Sequence, residues 1–415
     1  MTSRPRRIAA VLLAFAALLI AAPASAPAQG PPKPSITADT AVVIDARTGE
    51  TLYARAANRR HAIASTTKIM TAIVAREEAE LSDIFPASSY RPAPVESQIN
   101  LRRGERLSLR DLLEALMLAS ANDAAMAIAE GVSGSSDAFV DEMNATADDL
   151  GLKNTSFANP IGLDDPDNYS SARDLAQMAR VLLRDRALAR IVDMPSARIT
   201  TGARPRTLEN RNRLVRSYPW VNGVKTGRTQ QAGYVLVGSA TQRGVRVISV
   251  VTGEPGEASR DIDSLALLRY GLDQFRRARV VTKDRRTATA TVKYFDEDEI
   301  DLVPARDAAL TIRRGEKVSR RVDAPDELKG PLPRGERVGT ITVSYRDKVV
   351  RRVPLVTAEP VREASTWHKA TAAVGGGTAA IAFLGLVGLG ALALLRVQST
   401  RRRGSRAAAR GSRRQ

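Results

Sequence analysis

The 415-residue sequence predicts an α/β (α+β) domain with one antiparallel sheet and flanking helices, then a small all-β domain and a C-terminal transmembrane helix. Three observations predict it. Strand patterns at both ends of residues 35–279 enclose a helical stretch, so N- and C-terminal strands close one sheet. From residue 280 to 360 short alternating strands are separated by Gly, Pro and Asp turns, with no comparable helix between them. From Ala370 to Leu395 there is no charge, and small and aliphatic side chains dominate.

The elements follow in order. Residues 1–28 have the three parts of a secretory signal: Arg4, Arg6 and Arg7, an apolar run from Ile8 to about Ala22, and small residues around Ala24–Ala28. Proline at 27 disfavours cleavage just before it and places the cut nearer Ala28. Residues 29–37 are a stiff Pro-rich lead-in. Ala41–Asp45 and Thr51–Arg55 read as strands of a hairpin around Arg47-Thr-Gly-Glu50. Ser65 to about Ala79 reads as a helix with Ile69, Met70, Ile73 and Val74 on one face. Ser108 caps a helix over Leu109–Ala119, with Asp111 completing a capping-box-like start. Helical runs at 123–130, 137–150 and 172–184 follow, then strands at 223–229, 234–240 and 245–252, and a last helix over 257–277. In the β-domain, strands are expected at 280–295, 300–303, 309–313, 337–345 and 348–356.

Between Ala370 and Leu395 a helix would rise about 39 Å against a hydrocarbon layer of about 30 Å. Trp367, His368 and Lys369 suit one interface, and the basic tail 396–415 suits the cytoplasmic side of the other. The expected protein is therefore exported and membrane-anchored, with its body outside the cytoplasm.

Composition narrows the chemistry. With no cysteine, disulfides, thiol catalysis, Cys-ligated zinc and iron–sulfur clusters are excluded, and two histidines (His61, His368) exclude a multi-histidine metal site. Of the net charge of +18, three arginines sit at the N-terminus and eight in the last twenty residues, leaving about +7 elsewhere. Aromatics make up 4% of the chain, too few for base-stacking platforms, so no nucleic-acid partner is expected.

Three fragments carry chemistry. In Ser65-Thr66-Thr67-Lys68 the hydroxyl and the ammonium group share a helix face and can meet, and a lysine in a dry cleft can lose its proton near neutral pH. Alone, such a fragment is ordinarily a helix cap followed by a solvated lysine. Ser120-Ala121-Asn122 interrupts two helical runs, and Lys225-Thr226-Gly227 opens a strand whose glycine permits close backbone approach. Each occurs once, in this order, about 55 and 105 residues apart. Their joint occurrence resembles the signature of penicillin-binding proteins and serine β-lactamases.

The chain resembles the low-molecular-mass penicillin-binding proteins, the serine-type D-alanyl-D-alanine carboxypeptidases of the peptidase S11 type. The stretches Ala64–Thr71, Asn159-Pro-Ile-Gly162, Ala172–Ala176, Val224–Thr229 and Ala232-Gly-Tyr234 add to the likeness over roughly residues 35–280. The resemblance implies a β-lactamase/transpeptidase-like fold and removal of the terminal D-alanine from peptidoglycan stem peptides, with penicillins as covalent inhibitors. It implies Ser65 as nucleophile, Lys68 as general base, Ser120 and Lys225 as a proton relay to the leaving amine, and Asn122 as holder of the substrate amide. It further implies an oxyanion site between the N–H groups of Ser65 and Arg228, next to Gly227, and carboxylate binding by Thr226, Thr229 and Arg211. The family commonly ends in an amphipathic membrane helix, whereas this chain reads as ending in a span. A D,D-endopeptidase, a β-lactamase or a non-catalytic envelope scaffold of the same fold stay open, although a class A β-lactamase would carry a Glu where Asp164 precedes Asn168. No metal or cofactor is expected: Asp164, Asp165 and Asp167 lack calcium-loop spacing. His61, four residues before Ser65, reads as a loop residue without a catalytic partner.

Overall fold

The computed structural model describes residues 30–373 and 385–399. The expected signal segment, residues 1–28, and the tail beyond residue 399 lie outside the described residues. Two compact units are present, one running to Phe275 and including Arg313–Gly315, the other comprising Arg276–Ile312 and the chain from Glu316 on.

The first unit is built on a five-stranded antiparallel sheet of β1 (Thr40–Asp45), β2 (Thr51–Arg55), β3 (Val221–Thr229), β4 (Gly233–Gln242) and β5 (Val245–Glu254). Their order is β2-β1-β5-β4-β3, so the N-terminal hairpin joins the C-terminal strands through β1 and β5, and β3 is an edge. Both sheet faces are covered. Along β1, Val42 and Ile44 join one apolar cluster while Ala41 and Val43 join another. That double burial explains the unbroken apolar run in β1, since neither face meets water.

One cluster is formed with the helices α1 (Lys68–Glu78), α2 (Leu109–Glu114), α3 (Asn122–Ser133), α4 (Ser136–Asp149), α5 (Ala172–Leu182) and α6 (Arg186–Asp193). The other is formed with α7 (Arg213–Ser217) and α8 (Glu257–Asp273). Truncating a fully buried side chain here, such as Leu116 or Ile69, would cost about 2–5 kcal/mol by the cavity left behind.

Several boundaries differ from the sequence pattern. The first helix begins at Lys68, after a tight 3₁₀ turn Ala64–Thr67. The run 109–119 is α-helical only to Glu114; Ala115–Ala119 form a π turn closed by Ser120. Ser108 caps α2 by accepting from the Asp111 N–H at 3.2 Å, but the Asp111 carboxylate turns away to accept from the Thr201 N–H at 2.9 Å. Helix α8 stops at Asp273, and the chain becomes a strand over Phe275–Val281.

The second unit contains a six-stranded sheet in the order Ser319–Asp323, Arg337–Tyr345, Lys348–Thr357, Phe295–Pro304, Ala288–Val292 and Glu327–Leu328. Its core includes Leu302, Val343 and Leu355. The strand expected over 280–295 is broken, ending at Val281 and resuming at Ala288, with Asp284 at φ 57° between.

The transmembrane helix expected over 370–395 is not found. Among the described residues no helix is long and apolar enough to cross a membrane. Thr366–Ala373 form a helix of 8 residues, about 12 Å of rise, that contains Lys369. Residues 385–399 are helical over about 22 Å and include Arg396; both pieces fall short of a layer of about 30 Å. Residues 374–384 lie outside the described residues.

Candidate active site

The Ser65 turn is shaped by its neighbours. Ala64 sits at φ 48°, a conformation unfavourable for a side-chain-bearing residue, and the Thr66 hydroxyl donates to the Ile63 carbonyl at 2.6 Å. The Asn159–Gly162 segment packs against it. Asn159 Oδ1 accepts from the N–H groups of Gly162 and Leu163 at 2.7 and 3.1 Å, which curls the loop, and Thr71 Oγ1 donates to the Pro160 carbonyl. Gly162, at φ 81°, passes so close that a Cβ would collide with the Ala64 carbonyl oxygen. On the other side lies the edge strand β3: a Cβ on Gly227 would stand 3.1 Å from the Ser65 nitrogen. These two contacts give a physical account of both glycines.

Lys68 begins α1 and is 0% exposed. Its Nζ lies 3.1 Å from Ser65 Oγ, 2.6 Å from Asn122 Oδ1 and 2.5 Å from the Ile161 carbonyl oxygen. Burial pulls its pKa down to about 7; Glu96 and Asp123 oppose that fall and Arg211 assists it. A neutral amine has two N–H donors and one lone pair. Asn122 Oδ1 and the Ile161 oxygen can only accept, so they take the two donors and leave the lone pair to Ser65.

Ser120 ends the π turn at φ 62°, and Ala121 and Asn122 resume the chain as α3. A π turn inserts an extra residue into the ladder, which here breaks one helical run into two and sets Ser120 facing the cleft. Lys225 on β3 is 1% exposed; its Nζ donates to the Thr226 carbonyl at 3.0 Å, and burial, then Lys68 and Arg211, push its pKa well below the ordinary lysine value.

The three remote fragments thus converge. Ser65, Ser120, Thr226, Gly227 and Arg228 line one cleft of about 470 Å³, with Lys68, Asn122 and Lys225 buried. Arg211 lines the cleft as well, and among the described residues no acceptor is bonded to its guanidinium. Arg213 and Arg216, also on the lining, pair with Glu257 at 3.4 Å and Glu209 at 2.9 Å. Arg228 lies 5.4 Å from the Tyr234 ring centre.

The remaining expected residues have these surroundings. The Thr229 hydroxyl accepts from the Ala232 N–H at 3.1 Å, closing the turn from β3 to β4. His61 lies in a two-residue strand with Nδ1 2.7 Å from the Ala62 carbonyl oxygen and Nε2 3.6 Å from Asp39. Asp165 accepts from the Asp167 N–H, and Asp164 from the Gln231 N–H.

Glu96 escaped sequence reasoning. It accepts from the Asn122 amide and the Tyr90 hydroxyl, both at 2.6 Å. Burial works against its ionisation, yet the hydrogen bonds from Tyr90 and Asn122 hold its carboxyl below the usual range. It is one of 45 acidic residues, in a loop without periodicity, so no pattern singles it out.

Comparison with known proteins agrees with this geometry. The family profile described as D-alanyl-D-alanine carboxypeptidase (peptidase S11) matches residues 26–256, and the profile of the penicillin-binding protein 5 C-terminal domain matches 275–363. The D-alanyl-D-alanine carboxypeptidase DacF of Bacillus subtilis is 33% identical over 336 residues, covering 79% of this chain and 86% of DacF. The DacC enzyme of Escherichia coli is 34% identical, covering 80% of this chain and 86% of its own length. The crystal structure of penicillin binding protein 5 from Haemophilus influenzae superposes with a TM-score of 0.57 at 32% identity, covering 80% of this chain and 100% of that one. On its sequence, its fold and the meeting of its three motifs, the chain belongs to the peptidase S11 family of D-alanyl-D-alanine carboxypeptidases and carries the penicillin-binding protein 5 C-terminal domain.

Proposed function

We propose that this serine-type D-alanyl-D-alanine carboxypeptidase works through an acyl-enzyme on Ser65, with Lys68 as its general base. The carrying observation is the three-way environment of the Lys68 amine, whose two carbonyl partners leave its lone pair 3.1 Å from the Ser65 hydroxyl. Lys68 takes the Ser65 proton as Oγ attacks the carbonyl between the two D-alanines of a stem peptide. The resulting oxyanion lies between the N–H groups of Ser65 and Arg228. As the C–N bond breaks, Ser120, assisted by Lys225, relays that proton from Lys68 to the departing amine, and D-alanine leaves. Water then hydrolyses the ester and restores Ser65.

Asn122 orients the substrate amide. Arg211, Thr226 and Thr229 bind the terminal carboxylate, next to Gly227 on the same strand. A guanidinium without an internal acceptor suits a carboxylate, and the Thr229 hydroxyl, accepting from Ala232, still has its own proton to donate. Penicillins present a strained amide and a carboxylate in similar relation and acylate the same serine. The catalytic domain spans 35–279 and the β-domain 280–360, and residues 1–28 direct export.

The test is release of D-alanine from a Lys-D-Ala-D-Ala peptide, with labelling by a fluorescent penicillin. Ser65→Ala should abolish both; a labelled or active Ser65→Ala protein would refute the assignment. Recovery of the labelled band with cytoplasmic proteins would refute export.

A further inference from the structure

We propose that Glu96 is a positioning residue that fixes the Asn122 side chain so that its oxygen, rather than its nitrogen, faces Lys68. The proposal deepens the Ser65–Lys68 mechanism and rests on it.

An asparagine amide is nearly symmetric in shape, with an acceptor on one arm and two donors on the other. Which arm faces Lys68 decides whether that amine is free to act. If Asn122 Nδ2 faced Lys68, it would donate into the lone pair that Ser65 needs. The observed orientation is the reverse, with Oδ1 2.6 Å from Nζ and Nδ2 2.6 Å from Glu96 Oε2. A carboxylate is acceptor-only, so Glu96 demands the donor arm of the amide and turns the acceptor arm towards Lys68.

Glu96 is itself fixed. The Tyr90 hydroxyl donates to Oε2, the Ala93 N–H donates to Oε1 at 2.9 Å, and the Asn122 N–H ties the loop by donating to the Ser97 carbonyl at 2.7 Å. The result is an unbroken hydrogen-bonded series, Tyr90–Glu96–Asn122–Lys68–Ser65. Its charge matters as well. The groups acting on Lys68 are the anions Glu96 and Asp123 and the cation Arg211, with Lys225 as a further neighbouring amine. Asp123 is occupied by the N–H groups of Ile99 and Leu101, so it cannot replace Glu96 at the Asn122 amide.

Two full-length variants separate orientation from charge. Glu96→Gln keeps an acceptor for Asn122 and loses the charge. Neutral Lys68 is the active form and an anion beside it raises its pKa, so removing the anion should move the acid limb of kcat/KM to lower pH by about half a unit or more. Glu96→Ala removes the acceptor too and should lower kcat about tenfold or more with KM changed less, while Glu96→Asp recovers part of the loss. Wild-type pH profiles and kcat in both variants would overturn the proposal and leave Glu96 a loop tether. Should Glu96→Ala prove unstable, Glu96→Met, similar in size and without an acceptor for the amide, takes its place, and wild-type kcat in that variant would overturn the proposal. Ser65→Ala measured alongside keeps the two readings apart: if it retains activity the mechanism fails, and if it is dead while the Glu96 variants match wild type, only this proposal fails.

Discussion

On the floor of the cleft Lys68 and Lys225 are shut away from water and held below the ordinary lysine pKa, whereas on the rim Arg211, Arg213, Arg216 and Arg228 stay exposed. The floor residues meet carbonyl oxygens and an amide; the rim residues meet carboxylates, an aromatic face or, for Arg211, no acceptor among the described residues. The difference teaches what each cation is for. An ammonium group deprived of solvent surrenders its proton and becomes a base, while a guanidinium keeps its proton and offers a fixed, planar set of donors. In the proposed mechanism the buried lysines do chemistry and the exposed arginines do recognition.

Exchanging the two kinds of cation should break that division most severely. Lys68→Arg preserves charge but cannot deliver a lone pair, so both Lys68→Arg and Lys68→Met should lower kcat/KM by about 10²–10⁴. An arginine variant within tenfold of wild type would show that charge, not basicity, is what the floor supplies. In the wild type, kcat/KM should climb as pH rises through about 7, where Lys68 loses its proton, and level off above.

The rim should respond through binding. Arg211→Ala is expected to raise KM about 10–100-fold, matching a lost charge-assisted hydrogen bond of about 1.5–3 kcal/mol, with a smaller effect on kcat. Arg211→Lys should recover only part, because an ammonium lacks the paired donor geometry. A change confined to kcat would move Arg211 from recognition to chemistry.

The smallest effect concerns an acidic counterpart outside the cleft. Glu254, at the end of β5, is raised to about 7 by burial and by its hydrogen bond with Asp263 on α8; Thr37 donates to both carboxylates. A carboxyl whose folded pKa is raised stabilises the fold fully below its unfolded pKa and loses that contribution as pH rises through about 7. Melting temperature should therefore fall by a few degrees between pH 5 and 8, and Glu254→Gln should flatten the slope. Equal slopes in the two proteins would discount the pair.

Much of this was legible in the sequence for identifiable reasons. The sheet was, because strands covered on both faces are apolar at successive positions, as in Val42-Val43-Ile44. The Ser65–Lys68 relation was, because a spacing of three brings the side chains together even though the serine sits in a 3₁₀ turn rather than in the helix. The π turn before Ser120 was not: Ala-Leu-Met-Leu-Ala is good helix sequence, and tertiary packing overrides it. Nor were Glu96, the Ile161 carbonyl or the engagement of Thr229 in a turn, each of which depends on which loop lies beside which strand. The C-terminal span is not found either: among the described residues no helix is long and apolar enough to cross a membrane.

The two glycines beside the Ser65 turn bear on antibiotic resistance. Gly162 and Gly227 both press on the main chain of the Ser65 turn: a Cβ at 162 would collide with the Ala64 carbonyl, and one at 227 would require its neighbours to give by a few tenths of an ångström. A side chain at 162 would therefore shift the turn on which the proposed acylation depends, for a β-lactam and a peptide alike. Under the proposed mechanism, substitutions that discriminate between a β-lactam and the natural peptide are expected farther out, among the exposed arginines of the rim.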